Sequence, residues 1–254
     1  MRPHPSALEF PLAPGVMALG SGCAFLTHSR VLLCADAHLG YEDVMGGGAA
    51  LPLWSTAETV TTLVIAVERS RAREIVFLGD AIHGSSMNEG AVRVVKTALD
   101  TLREKVPLTF VAGNHEGRSG GGAILGATVE ACERDGWRLL HGDKGGPAGS
   151  RAIIGHLHPS LHMGGGVSAP AFLGSNRVVV VPALTPYSSG LDVLSDGCLA
   201  ALAPWDVQRR DLHVVAATAD RVYPFGTLSA LRGALRRTTP GDGRFRRYLR
   251  PDGR

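Results

Sequence analysis

Five short groups of acidic, amide and histidine residues occur along the chain, and each follows a run of apolar residues. Their carboxylate oxygens, amide oxygen and imidazole nitrogens form a mixed ligand set that suits first-row divalent metals. In chain order the groups are Asp36-Ala37-His38, Gly79-Asp80, Gly113-Asn114-His115-Glu116, His141-Gly142-Asp143 and Gly155-His156-Leu157-His158. Because open α/β folds bind ligands in loops at the carboxyl ends of strands, the groups predict a metal site there.

Two of the groups contain ligand-type residues two positions apart. Asp36 and His38 can turn toward one ion as the chain leaves a strand. His156 and His158 share one side of an extended segment, and Gly155 leaves room beside them. The His-x-His pair is the stronger indication of a metal. Asp-x-His occurs often by chance, and His38 alone could be an ordinary loop histidine.

The other groups offer fewer candidate side chains. Asp80 can bridge two cations, because each carboxylate oxygen can bind one, and Gly79 lets the backbone approach closely. Asn114 offers a neutral carbonyl oxygen, which leaves the adjacent His115 to act as an acid. Each has an ordinary alternative, since Gly-Asp is a common turn and asparagine adopts left-handed turns. His83 could support a ligand or contact a phosphate, and the alternative is a structural role.

Apolar runs and helical periodicity predict the elements that position these groups. Helices are predicted at residues 56–71, with Thr56 as the cap, and at 89–104, with a weaker helix at 227–237. Strands are predicted on both sides of Gly197. The predicted buried strands are 23–27, 31–35, 75–78, 108–112, 137–140, 152–154, 178–181 and 212–217. Strands and helices alternate through the first half, which predicts an α/β layered fold.

Composition limits the class of protein. The chain has 254 residues, of which 44% are hydrophobic and 19% charged, which is typical of a globular protein with a sizeable core. The four cysteines include no C-x-x-C pair, so we expect a reducing, cytoplasmic location. No signal peptide is visible and no apolar run approaches 18 residues, so we expect no membrane association.

Arginine is concentrated at the end of the chain. The last 23 residues contain eight arginines and two aspartates. We expect residues 1–237 to form a single domain and residues 238–254 to form a basic, flexible C-terminal tail. Such a tail could contact nucleic-acid phosphates, or it could be a solvated terminus.

The order and spacing of the five groups resemble those of the calcineurin-like metallophosphoesterases, over roughly residues 20–190. Within that superfamily, three segments resemble the PdeM group, the ligase-associated DNA-repair phosphoesterases. They are D-A-H-L-G-Y-E (36–42), G-D-x-x-H (79–83) and G-H-L-H-P (155–159). The run R-V-V-V-V-P-A-L-T-P-Y-S-S-G (177–190) resembles that group's segment after the last histidine pair.

The resemblance implies a four-layer α-β-β-α sandwich and a role for each residue of the five groups. One metal ion would be bound by Asp36, His38 and His158. The other ion would be bound by Asn114, His141 and His156, with Asp80 between the two. His115 would lie beside the substrate as the catalytic acid. Glu116 stands where many members have aspartate, a change that active branches of the superfamily tolerate.

The function that the resemblance implies is two-metal hydrolysis of phosphodiester bonds, with manganese favoured and iron or zinc also compatible. The substrate would be nucleic acid in a repair setting, with a repair ligase or helicase as partner. An alternative is a phosphodiesterase or phosphatase for small cyclic or nucleotide phosphoesters. A metal-stabilised, non-catalytic binding module that works with a repair enzyme is a third reading, and the presence of His115 argues against it.

Overall fold

Two β-sheets packed face to face form the centre of the molecule, and helices cover both outer faces. The computed structural model describes residues 7–46, 53–83, 87–114, 122–146, 149–164, 166–188 and 190–238. The first sheet is ordered β1-β2-β3-β4-β5-β6, and β4, β5 and β6 run parallel. Its strands are β1 (Glu9–Ala13), β2 (Val16–Leu19), β3 (Ala24–Leu26), β4 (Val31–Cys34), β5 (Glu74–Leu78) and β6 (Leu108–Val111).

The second sheet comes from the later part of the chain. Its strands are β7 (Cys132–Arg134), β8 (Trp137–Leu140), β9 (Ala152–Ile154), β10 (Pro159–Gly164), β11 (Val167–Gly174), β12 (Val178–Val180), β13 (Leu191–Asp192), β14 (His213–Thr218) and β15 (Arg221–Thr227). The order is β13-β10-β11-β12-β9-β8-β7, with β14 also paired to β11 and β15 to β14. The neighbours β8, β9 and β12 run parallel.

Alternation of side chains along the central strands builds the four layers. In β5, Val76 and Leu78 face the second sheet, whereas Ile75 and Phe77 face helices. In β9, Ile153 lies between the sheets and its neighbours pack against helices of the second sheet. Both faces of these parallel strands are therefore buried, which explains their continuous apolar sequence. The predicted α-β-β-α arrangement is confirmed.

The helices divide between the two outer faces. Those of the first half are α1 (Tyr41–Met45), α2 (Trp54–Ser70), α3 (Glu89–Arg103) and α4 (Gly122–Leu125), and those of the second half are α5 (Asp196–Leu202) and α6 (Leu228–Thr238). Helices α2 and α3 pack on the first sheet through apolar residues at helical spacing, and α5 and α6 pack on the second. Among the described helices, none is both long and apolar enough to span a bilayer.

The short helix α1 is anchored by two buried acidic side chains. The Glu42 carboxylate accepts a hydrogen bond from the Ser55 N–H at 2.6 Å, at the start of α2. The Asp43 carboxylate accepts one from the Asn88 N–H at 2.8 Å, at the cap of α3. Both bonds satisfy backbone donors at helix N-termini, where negative charge is favourable. Helix α1 therefore holds the segment after His38 against both long helices.

Two details of the sequence prediction are wrong. Helix α2 begins at Trp54, before the predicted cap, and the Thr56 hydroxyl instead accepts a hydrogen bond from the Gly40 N–H at 3.0 Å. The segment around Gly197 is helix α5, not a pair of strands, because the Ser195 hydroxyl caps it by accepting from the Cys198 N–H at 3.0 Å. Residues 239–254 lie outside the described part, so the division into a domain (1–237) and a basic tail (238–254) stays a prediction.

Candidate metal centre

The candidate ligands meet where the carboxyl ends of the parallel strands of both sheets come together. Asp36 and His38 follow β4, Asp80 follows β5 and Asn114 follows β6. His141 follows β8, and the pair His156 and His158 follows β9. Backbone bonds join the loops, because the His38 N–H donates to the Asp80 carbonyl at 3.0 Å and the Gly155 N–H donates to the His141 carbonyl at 3.0 Å. All seven predicted ligand residues therefore lie in loops that follow strands ending on this side of the sandwich.

Five of these seven residues adopt the left-handed backbone conformation. They are Asp36 (φ 50°), His38 (φ 46°), Asp80 (φ 47°), His156 (φ 63°) and His158 (φ 43°). Each such residue other than glycine costs on the order of 1–3 kcal/mol and persists only where its surroundings fix it. Strain of this kind, concentrated in one cluster of functional side chains, is typical of a site whose geometry serves binding or catalysis.

One group of candidate ligands consists of Asp36, His38 and His158, whose ligand atoms all lie within 4.8 Å of one another. The Asp36 Oδ1 atom is buried and accepts no hydrogen bond, although the His158 Nε2 atom lies 3.1 Å away. A buried carboxylate oxygen without a partner is unfavourable, and a cation would satisfy it. These residues therefore fit a divalent metal.

A second group lies around His141. The ligand atoms of Asp36, Asp80 and His141 lie within 4.8 Å of one another. The His141 Nε2 atom is 3.4 Å from the Asp80 carboxylate, 2.9 Å from the Asn114 Oδ1 atom and 3.1 Å from the His156 Nδ1 atom. The side chains predicted for the second ion thus converge on one point. Asp36 belongs to both groups.

Hydrogen bonds on the far side of the histidine rings orient them. The His141 Nδ1 atom donates to the Leu78 carbonyl at 2.9 Å, so its Nε2 atom faces the carboxylates. The His158 Nδ1 atom lies 2.7 Å from the Ser188 hydroxyl, which leaves Nε2 toward Asp36. The His83 Nδ1 atom lies 3.0 Å from the His38 Nδ1 atom, so His83 contacts a candidate ligand directly.

Burial and the two carboxylates act in opposite directions on the histidine pKa values. For His38, loss of hydration dominates over the charges of Asp36 and Asp80, and the pKa falls to about 4. For His141, burial also disfavours the charged form, but the bond to Asp80 and the charges of both carboxylates outweigh it and raise the pKa to about 9. A metal ion at this point would take the place of the proton on His141.

Three glycines give the ligands the space they occupy. A β-carbon on Gly79 would lie 2.3 Å from the His141 Nδ1 atom, and one on Gly113 would lie 2.1 Å from the Asp80 carboxylate. A β-carbon on Gly155 would lie 2.7 Å from the Asp36 carboxylate. Each distance is shorter than any ordinary contact, so any larger residue would displace a candidate ligand. The space beside Gly79 is taken by the His141 ring, and that beside Gly155 by Ala35 and Asp36 rather than by the histidine pair.

The sequence missed some residues of the site, and others fall outside the described part. His115 and Glu116 lie in the segment 115–121, about which the structure gives no description. Ser188 was not singled out, although its hydroxyl contacts His158. Only its place in the run 177–190, which resembles a segment of the family, points to it.

The comparisons with known proteins agree with this architecture. The family model described as calcineurin-like phosphoesterase matches residues 29–215. The crystal structure of the Pseudomonas putida nuclease MPE is similar with a TM-score of 0.63 at 19% identity, over 83% of this chain and 94% of that chain. That likeness shows the shared fold.

A second solved structure, the phosphoesterase Yfce from E. coli, has a TM-score of 0.37 at 17% identity, over 63% of this chain and 83% of that chain. Among curated proteins, no sequence matches this chain significantly.

We expect Gly79→Ala to abolish or greatly weaken metal binding, because the new β-carbon would push His141 away from the carboxylates. Gly126→Ala is the matched control, since Gly126 has φ +85° against +88° at Gly79 and has no atom within 4 Å of its β-carbon position. In urea unfolding, the positive φ should lower the free energy of unfolding of both variants by about 1–2 kcal/mol, and displacement of the buried His141 should lower that of Gly79→Ala further. Only Gly79→Ala should lose metal in a titration, and equal metal affinity of the two variants would contradict this explanation.

Proposed function

We propose that this chain, which belongs to the calcineurin-like phosphoesterase family, hydrolyses phosphodiester bonds of nucleic acid with two divalent metal ions. As a member of the family it is a metal-dependent phosphoesterase. The observation that carries the finer proposal is the convergence of five further candidate ligands around two buried carboxylates, Asp36 and Asp80.

The proposed ligands divide into two sets. Asp36, His38 and His158 would hold one ion, in agreement with the close approach of their ligand atoms. The second ion would be held by Asn114, His141 and His156, with Asp80 shared, as the resemblance implies. Asp36 also lies close to Asp80 and His141, so it is a second candidate for the shared position. Two such ions would supply Lewis-acid charge and would lower the pKa of water at the site.

The protein groups themselves determine how an anionic substrate can enter. Asp36 and Asp80 place two negative charges in a buried site, and these would repel a phosphodiester. Substrate binding is therefore proposed to require the cations. Tight hydrogen bonding of His141 to Leu78 fixes the ring before any ligand arrives, which lowers the cost of ordering the site.

His115 is proposed as the acid that protonates the leaving oxygen. Its position directly after Asn114 in the third group supports this role, as does the resemblance. Because a histidine titrates near neutral pH, it can donate a proton that a leaving alkoxide needs.

Nucleic acid is the proposed substrate class, and manganese the proposed metal, with iron or zinc as alternatives. The segments that resemble the ligase-associated group and the fold shared with a nuclease support this choice. The same proposal includes a role in DNA repair with a ligase or helicase partner. It also includes contact of the basic tail with DNA and a cytoplasmic location. The four cysteines are free thiols, as a reducing compartment would keep them.

A screen of metals against substrates tests the proposed function. Purified protein should hydrolyse bis-p-nitrophenyl phosphate with Mn²⁺ and should also cleave single- or double-stranded DNA. Hydrolysis of cyclic nucleotides but not of DNA would favour the small-phosphoester alternative. Binding of metal without hydrolysis of any phosphodiester would favour the non-catalytic binding module.

We expect two metal ions per chain, because the ligands form two groups around the carboxylates. Elemental analysis of the protein after reconstitution and desalting should give a stoichiometry of two. Asp80→Asn keeps the size of the side chain and removes its charge, so it should lower the occupancy. A stoichiometry of one metal ion per chain that Asp80→Asn leaves unchanged would contradict the two-metal arrangement.

We expect His115→Ala to keep both metals and to lose turnover by about 10²–10⁴-fold, the usual contribution of a general acid. His156→Ala should lose metal as well as activity, because its Nδ1 atom lies 3.1 Å from His141 in the second ligand group. Steady-state kinetics with bis-p-nitrophenyl phosphate and elemental analysis would separate the two effects. A fully active His115→Ala protein would remove this histidine from the mechanism.

A further inference from the structure

An aromatic surface lies directly beside the first ligand group. A cavity of about 150 Å³ is lined by His38, Tyr41, His83, His158, Thr185, Tyr187 and Ser188. Two of these residues are candidate ligands, so the cavity opens onto the proposed reaction centre. The two tyrosines are left unused by the metal site and by the proposed chemistry.

Three aromatic rings in the cavity contact one another in sequence. The rings of His83 and Tyr41 form a T-shaped contact with 4.4 Å between centroids and an angle of 86°. Tyr41 in turn meets Tyr187 at 5.1 Å and 44°. Such aromatic contacts are worth about 0.5–1.5 kcal/mol beyond the burial of area. Tyr41 is thus held between two rings, whereas Tyr187 keeps 47% of its surface exposed.

The loop that carries Tyr187 is tied to the metal ligands on both sides. Before the tyrosine, the Thr185 N–H donates to the Asp36 carbonyl at 3.2 Å. After it, the Ser188 hydroxyl lies 2.7 Å from the His158 Nδ1 atom and accepts from the Gly190 N–H at 3.2 Å. The position of Tyr187 relative to the candidate ligands is therefore set by hydrogen bonds, not by chance exposure of a surface residue.

We infer that Tyr187, supported by Tyr41, is a stacking surface for the nucleobase next to the phosphate that is bound at the metal centre. This inference rests on the proposed function and names the recognition element of the same site. Bases stack on exposed aromatic rings with about 1–3 kcal/mol per base, with little dependence on sequence. Tyr187 is thus a specificity-determining residue that favours phosphoesters carrying a base over those that carry only a sugar.

Binding measurements with two ligands that share one phosphate group test the inference. The Kd values of thymidine 5′-monophosphate and deoxyribose 5-phosphate are measured by calorimetry on the full chain with saturating Mn²⁺. The wild-type protein should bind the nucleotide more tightly than the sugar phosphate. Tyr187→Ala should weaken nucleotide binding by about 5- to 150-fold, the range that corresponds to one stacked base, and leave sugar-phosphate binding unchanged.

Substitutions at the same position provide the matched controls. Tyr187→Phe keeps the ring and should restore the preference for the nucleotide, whereas Tyr187→Leu keeps apolar surface without a π-face and should not. Elemental analysis should give the same metal content in all three variants, which checks that the loop still supports His158. The inference would be overturned if the wild-type protein bound the two ligands equally or bound neither. It would also be overturned if Tyr187→Ala weakened the binding of both ligands equally.

Hydrolysis of bis-p-nitrophenyl phosphate by the wild-type protein is measured separately, so the two proposals can fail independently. A protein that hydrolyses this diester but does not distinguish the two ligands keeps the proposed function and loses the stacking surface. A protein that distinguishes them through Tyr187 but hydrolyses no phosphodiester keeps the stacking surface and loses the proposed function.

Discussion

The repulsion between two buried carboxylates is the constraint on which the rest of the structure depends. Asp36 and Asp80 are exposed by 0% and 2%, and their oxygens come together with His141 within 4.8 Å. Like charges this close at buried positions are unfavourable unless positive charge lies between them. A protonated His141 supplies part of that charge, and its bond to Asp80 together with the charges of both carboxylates raises its pKa against the effect of burial. The remainder is what a divalent cation provides in this family.

Both sheets of the sandwich are needed to hold the carboxylates and their partners in place. The first sheet contributes Asp36 and Asp80, whose loops are joined by the bond between the His38 N–H and the Asp80 carbonyl. The second sheet contributes His141 and His158, and the Leu78 carbonyl of the first sheet fixes the ring of His141. The site is thus assembled across the interface between the sheets, so packing of that interface controls the geometry of the ligands.

The sequence predicted the parallel strands and the loops that carry the candidate ligands, because both depend on local patterns, but it did not predict strands such as β1, β10 and β11. Apolar runs such as Ile75–Leu78 are buried on both faces, and the polar residue that follows each run must lie at the end of a strand. The prediction failed around Gly197, where a capping serine gave a helix. Local patterns also could not reveal the contact of Ser188 with His158, because these residues are 30 positions apart and meet only when the loop after β12 folds over the site.

The left-handed backbone at the ligands has a consequence for how the protein can change in evolution or in the laboratory. Asp36, His38, Asp80, His156 and His158 all hold positive φ values that glycine or asparagine would adopt with less strain. Substitutions that relax these positions would therefore raise the free energy of unfolding while removing the candidate metal ligands. Selection for thermostability alone would therefore erode this site.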